Sequence, residues 1–278
     1  MENEDDANRV LHTTRHRAES RTELSPELTR NLNEFVQANS LTLNTVLQGA
    51  WSLLLGRYAG VDDVVFGTVV SGRTSEVADI ERMIGLFINT LPVRVRLPDQ
   101  QPVMDWLHDL QDTNLQIRQH EHTPLNLIRG WTDLPSGPVF HTLFVFENYP
   151  VETLRGALRP EMTRSEERVD YPIGLVVMGH EVLEIVVQYD TAFFSAAMVE
   201  LLLKRLTSIC QQLTDFPEQA LGRVGLLSRK EQMDILAQGG ASESASMSDD
   251  MDLDDYIRSL SDPDELALLE QAPLGSSG

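Results

Sequence analysis

A run of small and polar residues divides this 278-residue chain into a long body and a short tail. The run extends from Gln238 to Ser248, reads QGGASESASMS, and shows no apolar periodicity. Such a composition is typical of a flexible linker. A hydrophobic core must therefore form in the residues before it. Because 41% of all residues are hydrophobic, the chain has enough apolar material for one large domain or two small ones.

The formal charge of −21 is distributed unevenly between these two parts. From Glu243 to Gly278 there are ten acidic residues and the single base Arg258, a net charge of −9. Binding to phosphate groups needs clustered Lys and Arg, whereas acidic residues outnumber basic ones here by 43 to 22. We therefore expect no nucleic acid and no anionic membrane surface as partner, and we interpret the tail as a separate unit.

Three features predict a cytosolic protein. No apolar run approaches the roughly 18 to 20 residues that a membrane-spanning helix needs. Met1 to Asn8 carries four acidic residues, where a secretory signal would carry basic and then apolar ones. The single cysteine, Cys210, has no partner for an intramolecular disulfide. Since it lies in an apolar-periodic stretch, we expect a small buried side chain rather than a nucleophile.

The body alternates helical and extended patterns. Ser25-Pro26 predicts a helix start, because a capping hydroxyl precedes a proline at the first helical position. A second helix is predicted to begin after Thr42, to present one apolar stripe, and to end at Gly60. Other helices are predicted over residues 103–119, 195–213 and 228–237, and strands over 64–70, 90–97, 139–147, 173–178 and 182–189. Without a βαβ period or an internal repeat, this order predicts a single α/β layer domain.

Motifs of general catalytic chemistry give no enzyme class. His120 and His122 have a spacing that suits one metal ion only on a strand, and they follow a predicted helix end, where the helix dipole favours imidazoles. Gly239 to Ser242 resembles part of the phosphopantetheine attachment sequence of carrier proteins, but it lies in a low-complexity stretch instead of a helical bundle. We therefore expect neither a metal site nor a covalently bound cofactor.

Three longer motifs carry a family resemblance. Gly85 to Arg94 reads GLFINTLPVR, Glu121 to Leu125 reads EHTPL, and Leu143 to Pro150 reads LFVFENYP. Together they resemble the Gly-x-Phe-x-Asn-Thr, His-x-Pro and strand signatures of nonribosomal peptide synthetase condensation domains. Supporting matches lie at residues 43–48, before Trp51, and at 62–67, leading into Ser71-Gly72-Arg73. The resemblance covers residues 22–237 and points to the C-terminal lobe of that domain.

The resemblance implies a fold, substrates and partners. The fold would be one chloramphenicol acetyltransferase-like lobe, a mixed sheet with helices packed on it. The substrates would be phosphopantetheine thioesters on carrier proteins, and the partners would be those carriers and an N-terminal lobe. The family's His-His-x-x-x-Asp-Gly motif, whose second histidine is assigned to amide formation, lies on that N-terminal lobe. Because this sequence has no adjacent histidine pair, we expect no catalytic residue in it and no activity of the chain alone.

The resemblance also implies which residues face the substrate channel: Ser71, Arg73 and Asn148, with a channel floor after Arg73 and a crossing segment within residues 151–169. Structural alternatives exist for several of these positions. Arg73 would be an ordinary surface cation, Asn148 a turn cap before Pro150, and Asn89 with Thr90 a partner for backbone groups at a strand start.

Three functions remain open at this point. The chain is half of an amide-forming condensation enzyme, or a non-catalytic binding module for neighbouring synthetase domains, or a lobe that associates with copies of itself to form a site. The missing histidine motif counts against the third. A lone lobe should also expose an apolar patch larger than monomers ordinarily tolerate, because its partner lobe would cover that patch.

The tail carries a second, weaker resemblance, to the docking peptides with which one synthetase subunit finds the next. The chain is predicted to comprise a lead-in (1–21), the lobe (22–237), a linker (238–248), an acidic docking segment (249–271) and a terminal stretch (272–278). Apolar residues in the docking segment recur at helical spacing: Leu253, Tyr256, Ile257 and Leu260, then Leu266 and Leu269. The alternative is a solvated tail that only aids solubility.

Overall fold

The first two helices begin where local side-chain chemistry predicts. In the computed structural model, which describes residues 17–73, 79–132, 137–147, 171–179, 182–227 and 231, helix α1 spans Pro26–Ala38 and helix α2 spans Leu43–Ala59. The Ser25 hydroxyl accepts a hydrogen bond from Leu28 N at 3.1 Å, and Thr42 Oγ1 accepts one from Thr45 N at 3.1 Å. Helix α2 ends at Gly60 in the left-handed conformation, with φ 64°. The predicted start and stop signals are confirmed.

The remaining elements alternate as the sequence predicts, with shifts at their ends. The strands are β1 (Arg17–Glu23), β2 (Asp63–Val70), β3 (Asn89–Arg96), β4 (Thr142–Glu147), β5 (Ile173–Met178) and β6 (Glu184–Asp190). The further helices are α3 (Val103–Arg118), α4 (Leu125–Gly130) and α5 (Ala196–Asp215), with 3-10 turns at Ile80–Arg82 and Leu221–Arg223. Strand β1 and helix α4 were not predicted. The helix predicted over 228–237 lies outside the described residues except for Glu231.

The strands form one mixed sheet with the order β1-β6-β5-β4-β2-β3. The β2–β4 and β4–β5 pairs are parallel, and the other three are antiparallel. This confirms the expected mixed sheet. Strand β1 pairs with β6 from Arg17 onward, so the sheet takes in residues 17–21, which the sequence assigned to the lead-in. The strand reads RAESRTE, and such a polar segment gives no apolar signal of its own.

Helices cover one face of the sheet and enclose the main core there. Helix α2 lies at its centre, and residues 45–54 are all buried, although the sequence predicts burial of only one stripe. Glycine permits this close packing: a Cβ on Gly56 would come within 2.2 Å of Leu97 Cδ1. The core also buries Trp106 of α3 and Cys210 of α5. A helix buried on nearly all sides is typical of a central core element.

The other face of the sheet carries a smaller apolar cluster. Phe140 and Leu143 form its buried centre, and Val69, Leu125, Val139, Val145 and Tyr171 pack against it. Phe140 lies directly over strand β2, since a Cβ on Gly67 would come within 2.2 Å of the Phe140 ring. Glycine at this position therefore creates the space for an aromatic ring on the sheet.

The chain beyond helix α5 is fastened back onto the domain. Leu221 N donates to Gln101 O at 2.8 Å, and Gly222 N donates to Asp99 O at 2.9 Å. Farther along, Glu231 forms an ion pair with Arg205 of α5 at 2.9 Å. The last described residues are thus held by backbone hydrogen bonds and by charge. None of the helices in the described ranges combines the length and apolar character that crossing a membrane requires.

Candidate channel surface

Two motifs that are separate in the sequence meet at one end of strands β2 and β3. Gly72 follows β2 and has φ 65°, and a Cβ built on it would come within 1.8 Å of Phe87 O. The backbones of the Ser71-Gly72-Arg73 motif and of the Gly-x-Phe-x-Asn-Thr motif are therefore in direct contact. Only glycine combines this left-handed conformation with so close an approach.

Arg73 holds the segment that precedes β3. Its Nη1 donates to the carbonyl oxygens of Ile80 and Met83, the latter at 3.1 Å. Its guanidinium carbon lies 4.7 Å from the centroid of the Phe87 ring, which is a cation–π contact. Arg73 thus binds the loop that the sequence predicts as channel floor, and it is more than an ordinary surface cation.

Asn89 connects the same segment to the His-x-Pro motif. Its Nδ2 donates to Glu121 O and to Thr123 O, both at 2.8 Å, and its Oδ1 accepts from Thr90 N at 2.9 Å. All three hydrogen-bonding positions of the amide side chain are occupied by backbone groups. The structural alternative for Asn89, satisfaction of backbone groups at a strand start, is therefore what the structure shows.

Between these two attachments, apolar side chains face solvent. We call residues 83–88 the floor segment. Ile84 and Leu86 are 103% and 91% exposed, and Ile88 is 60% exposed, whereas Phe87 between them is partly buried under Arg73. Leu127 and Trp131, in and just after helix α4, are exposed as well. Adjacent large apolar residues at such exposure mark an interaction surface more often than a free one.

Titratable groups near this surface do not form a catalytic cluster. Burial raises the pKa of the Glu121 carboxyl above its ordinary value, and the nearby Arg118 and His122 act in the opposite direction. Burial also raises the pKa of Cys210 to about 12, so its thiol is protonated and a poor nucleophile at neutral pH. In the described parts of the chain no group of three or more His, Cys, Asp or Glu side chains could hold a metal ion.

The structure brings together only part of the predicted site. Ser71 lies beside Arg73, and its Oγ accepts from Arg73 N at 3.4 Å. Asn148, the crossing segment 151–169 and the docking segment 249–271 lie outside the described residues. The attachment of the floor segment by Arg73 and Asn89 was not foreseen, since it joins side chains to backbone carbonyls distant in sequence. The exposed Trp131 was also not singled out.

Comparison with known proteins identifies the family. The Condensation domain family matches residues 5–236. The chain therefore belongs to the condensation domain family.

Its relatives are large synthases. It is 34% identical over 226 residues to bacitracin synthase 3 of Bacillus licheniformis, which covers 79% of this chain and 4% of that protein. It is 32% identical over 220 residues to tyrocidine synthase 3 of Brevibacillus parabrevis, covering 77% of this chain and 3% of the relative. The chain thus spans only a small fraction of these proteins.

Solved structures share its fold. The X-domain from teicoplanin biosynthesis matches with a TM-score of 0.63 at 21% identity, over 77% of this chain and 50% of that one. The first condensation domain of the calcium-dependent antibiotic synthetase matches with a TM-score of 0.61 at 17% identity, over 76% of this chain and 47% of that one. The match thus takes in about half of each of these two chains.

Proposed function

We propose that this chain is the C-terminal lobe of a nonribosomal peptide synthetase condensation domain, and that it supplies channel wall and partner surface for amide-bond formation between carrier-bound substrates. The observation that carries the proposal is the floor segment, which exposes Ile84 and Leu86 while polar contacts fasten both of its ends. Two facts support it. Solved structures of the family are matched over about half their length, and the sequence has no adjacent histidine pair.

The floor segment has the features of a preformed interface. Exposed apolar side chains on a flexible loop would lose conformational entropy on binding, and fastening the loop beforehand reduces that loss. Arg73, Gly72 and Asn89 provide this fastening. The partner that suits the surface is the apolar face of an N-terminal lobe, which would cover Ile84, Leu86 and Ile88.

Within the proposed channel the chain provides binding and no base. Ser71 and Asn148 would face the phosphopantetheine thioester substrates, and Arg73 would position the floor. A general base must lie within hydrogen-bonding distance of the reacting amine, and here the group in that role would be the second histidine of the other lobe. The carriers would bring the phosphopantetheine, so this chain needs no bound cofactor for its part.

Mixing experiments test the proposal. The purified chain is combined with a condensation-domain N-terminal lobe and two loaded carrier proteins, and the condensed thioester is measured by mass spectrometry. We expect product only when both lobes are present. A product from the N-terminal lobe and carriers alone would overturn the proposed contribution of this chain.

A substitution separates the interface from the fold. Leu86→Asp should abolish product formation and lobe binding, because it buries a carboxylate in an apolar contact. Leu115→Asp is the matched control, since Leu115 is also exposed but lies in helix α3. Equal loss in both variants, with folding intact by circular dichroism, would contradict a specific role of the floor segment.

A second candidate function is a non-catalytic binding module, and the absence of an adjacent histidine pair favours it. In that case the lobe binds its neighbours but forms no product in the mixing experiment. Sedimentation at several concentrations, with and without the N-terminal lobe, distinguishes both functions from self-association of this chain.

The docking role of the tail is part of the proposal. Residues 249–271 would fold on meeting a groove with a basic rim on the downstream subunit, with the leucines and Tyr256 making contact and the aspartates steering the encounter. Leu260→Asp should abolish binding, Asp249→Asn should only slow association, and added salt should weaken it. Unchanged affinity after deletion of everything beyond Gly240 would overturn this assignment.

A further inference from the structure

A cavity of about 350 Å³ opens at the end of the sheet where β1 begins and β6 ends. Its principal lining residues are Arg17, Phe140, His141, Tyr171, Asp190 and Phe193. None of them belongs to the floor segment or to the predicted channel residues. The volume lies within the range of sites that bind small ligands or single side chains.

One wall of the cavity carries an unsatisfied donor. Arg17 Nη1 donates to Tyr171 O at 2.9 Å, but Arg17 Nη2 is buried and has no hydrogen-bond partner. A buried donor without a partner costs free energy, which a ligand oxygen at that position would recover. The arginine therefore favours a ligand with a carbonyl or carboxylate oxygen.

Directly across the strand pair lies an acceptor. Asp190 on β6 is the register partner of Arg17 on β1, so the two side chains stand on the same face of the sheet. Asp190 is 5% exposed, and its Oδ1 accepts from Ala192 N at 3.0 Å. A ligand that reaches Arg17 with an oxygen can thus present an N–H group to the Asp190 carboxylate beside it.

The other walls are aromatic. The Phe140 and Tyr171 rings pack with centroids 5.0 Å apart. Phe193 is 47% exposed, and His141 is exposed next to Phe140. Rings at such spacing provide faces and edges against which a further aromatic ring can pack.

We propose that this cavity binds an aromatic residue of an extended peptide segment from a neighbouring polypeptide. In extended conformation one residue presents its own N–H and C=O to the same side, as in a hydrogen-bonded strand pair. The C=O would accept from Arg17 Nη2, the N–H would donate to Asp190, and the ring would pack against Phe140 and Tyr171. A peptide residue meets all three features of the cavity at once.

The test uses N-acetyl-L-phenylalaninamide as probe with the full 278-residue chain. Titration is followed by ¹H–¹⁵N NMR at the amides of Tyr171 and Ala192. We expect saturable shifts with a Kd of about 1 mM, as befits a ligand of this size. N-acetylglycinamide, which lacks the ring, and 3-phenylpropanoate, which lacks the amide, should both bind more weakly. Equal binding of 3-phenylpropanoate would overturn the paired contact with Arg17 and Asp190.

Variants localise the binding. Arg17→Gln should raise the Kd about tenfold, the effect of losing one charged hydrogen bond. Arg30→Gln, on the exposed side of α1, is the matched control and should leave the Kd unchanged. Phe193→Ala removes a largely exposed ring and should raise the Kd without unfolding the protein. An absence of saturable shifts up to about 10 mM, or an unchanged Kd in both Arg17→Gln and Phe193→Ala, would overturn the proposal.

Discussion

Helix α2 and the floor segment are both rich in large apolar residues, yet the structure treats them in opposite ways. Residues 45–54 of α2 are all buried, whereas Ile84 and Leu86 of the floor segment are almost fully exposed. Apolar composition alone therefore does not decide burial. The helix is held by the surrounding core, and the floor segment is held at its ends by Arg73, Gly72 and Asn89.

The contrast separates two roles of apolar residues. In α2 the burial of apolar surface stabilises the fold itself. In the floor segment the free energy of burial is still available, and under the proposed function a partner lobe would use it. Substitutions in the two regions should accordingly change different measurements.

The largest effect is expected in helix α2. Trp51 is 1% exposed, so Trp51→Ala should lower the free energy of unfolding by about 3–5 kcal/mol through lost contacts and a residual cavity. Leu86→Ala should change it by no more than about 0.5 kcal/mol. Urea denaturation followed by circular dichroism measures both values. Similar losses in the two variants would remove the contrast between the regions.

A smaller effect is expected where the floor segment is fastened. Gly72→Ala places a methyl group against Phe87 O at a left-handed backbone position, which should cost about 1–3 kcal/mol and speed hydrogen exchange in residues 85–89. Gly60 is the matched control, because its φ is also near 64° but a Cβ there would contact nothing within 4 Å. We expect Gly60→Ala to cost less, about 1 kcal/mol, and to leave that exchange unchanged.

The smallest effect concerns pH. Because burial raises the pKa of Glu121 above its ordinary value of 4.5, the folded chain binds the proton more tightly than the unfolded chain. The free energy of unfolding should therefore fall as the pH rises from 4.5 through the raised value, and Glu121→Gln should remove that part of the decline. Denaturation curves at several pH values test this, with Glu34→Gln as a matched change on the exposed side of α1. Identical pH profiles for wild type and Glu121→Gln would contradict the prediction.

The sequence predicts those features that depend on neighbouring residues. Ser25 and Thr42 cap helices through contacts three residues away, and the alternation of Val93 and Val95 with Arg94 follows the two-residue period of β3. Strand β1 was missed because its stability comes from pairing with β6, and α4 because six residues are too few for a periodic signal.

The candidate surface shows the same limit. Family resemblance singles out Ser71-Gly72-Arg73 and the motif around Asn89, and the structure brings these motifs together. Which groups they bind could not be predicted, since Arg73 and Asn89 donate to backbone carbonyls up to 34 residues away. The Arg17 cavity left no sequence signal either, because β1, β5 and β6 assemble it from distant segments.

The fastening of the last described residues has a consequence for how the tail would search for a partner. With Glu231 fixed to Arg205, the tether of the docking segment starts from a defined point on helix α5. A flexible linker of eleven residues such as 238–248 has a root-mean-square reach of about 20 Å. A protein captured by the tail would therefore stay at millimolar effective concentration around the lobe, so that even a weak contact between the two bodies would be occupied.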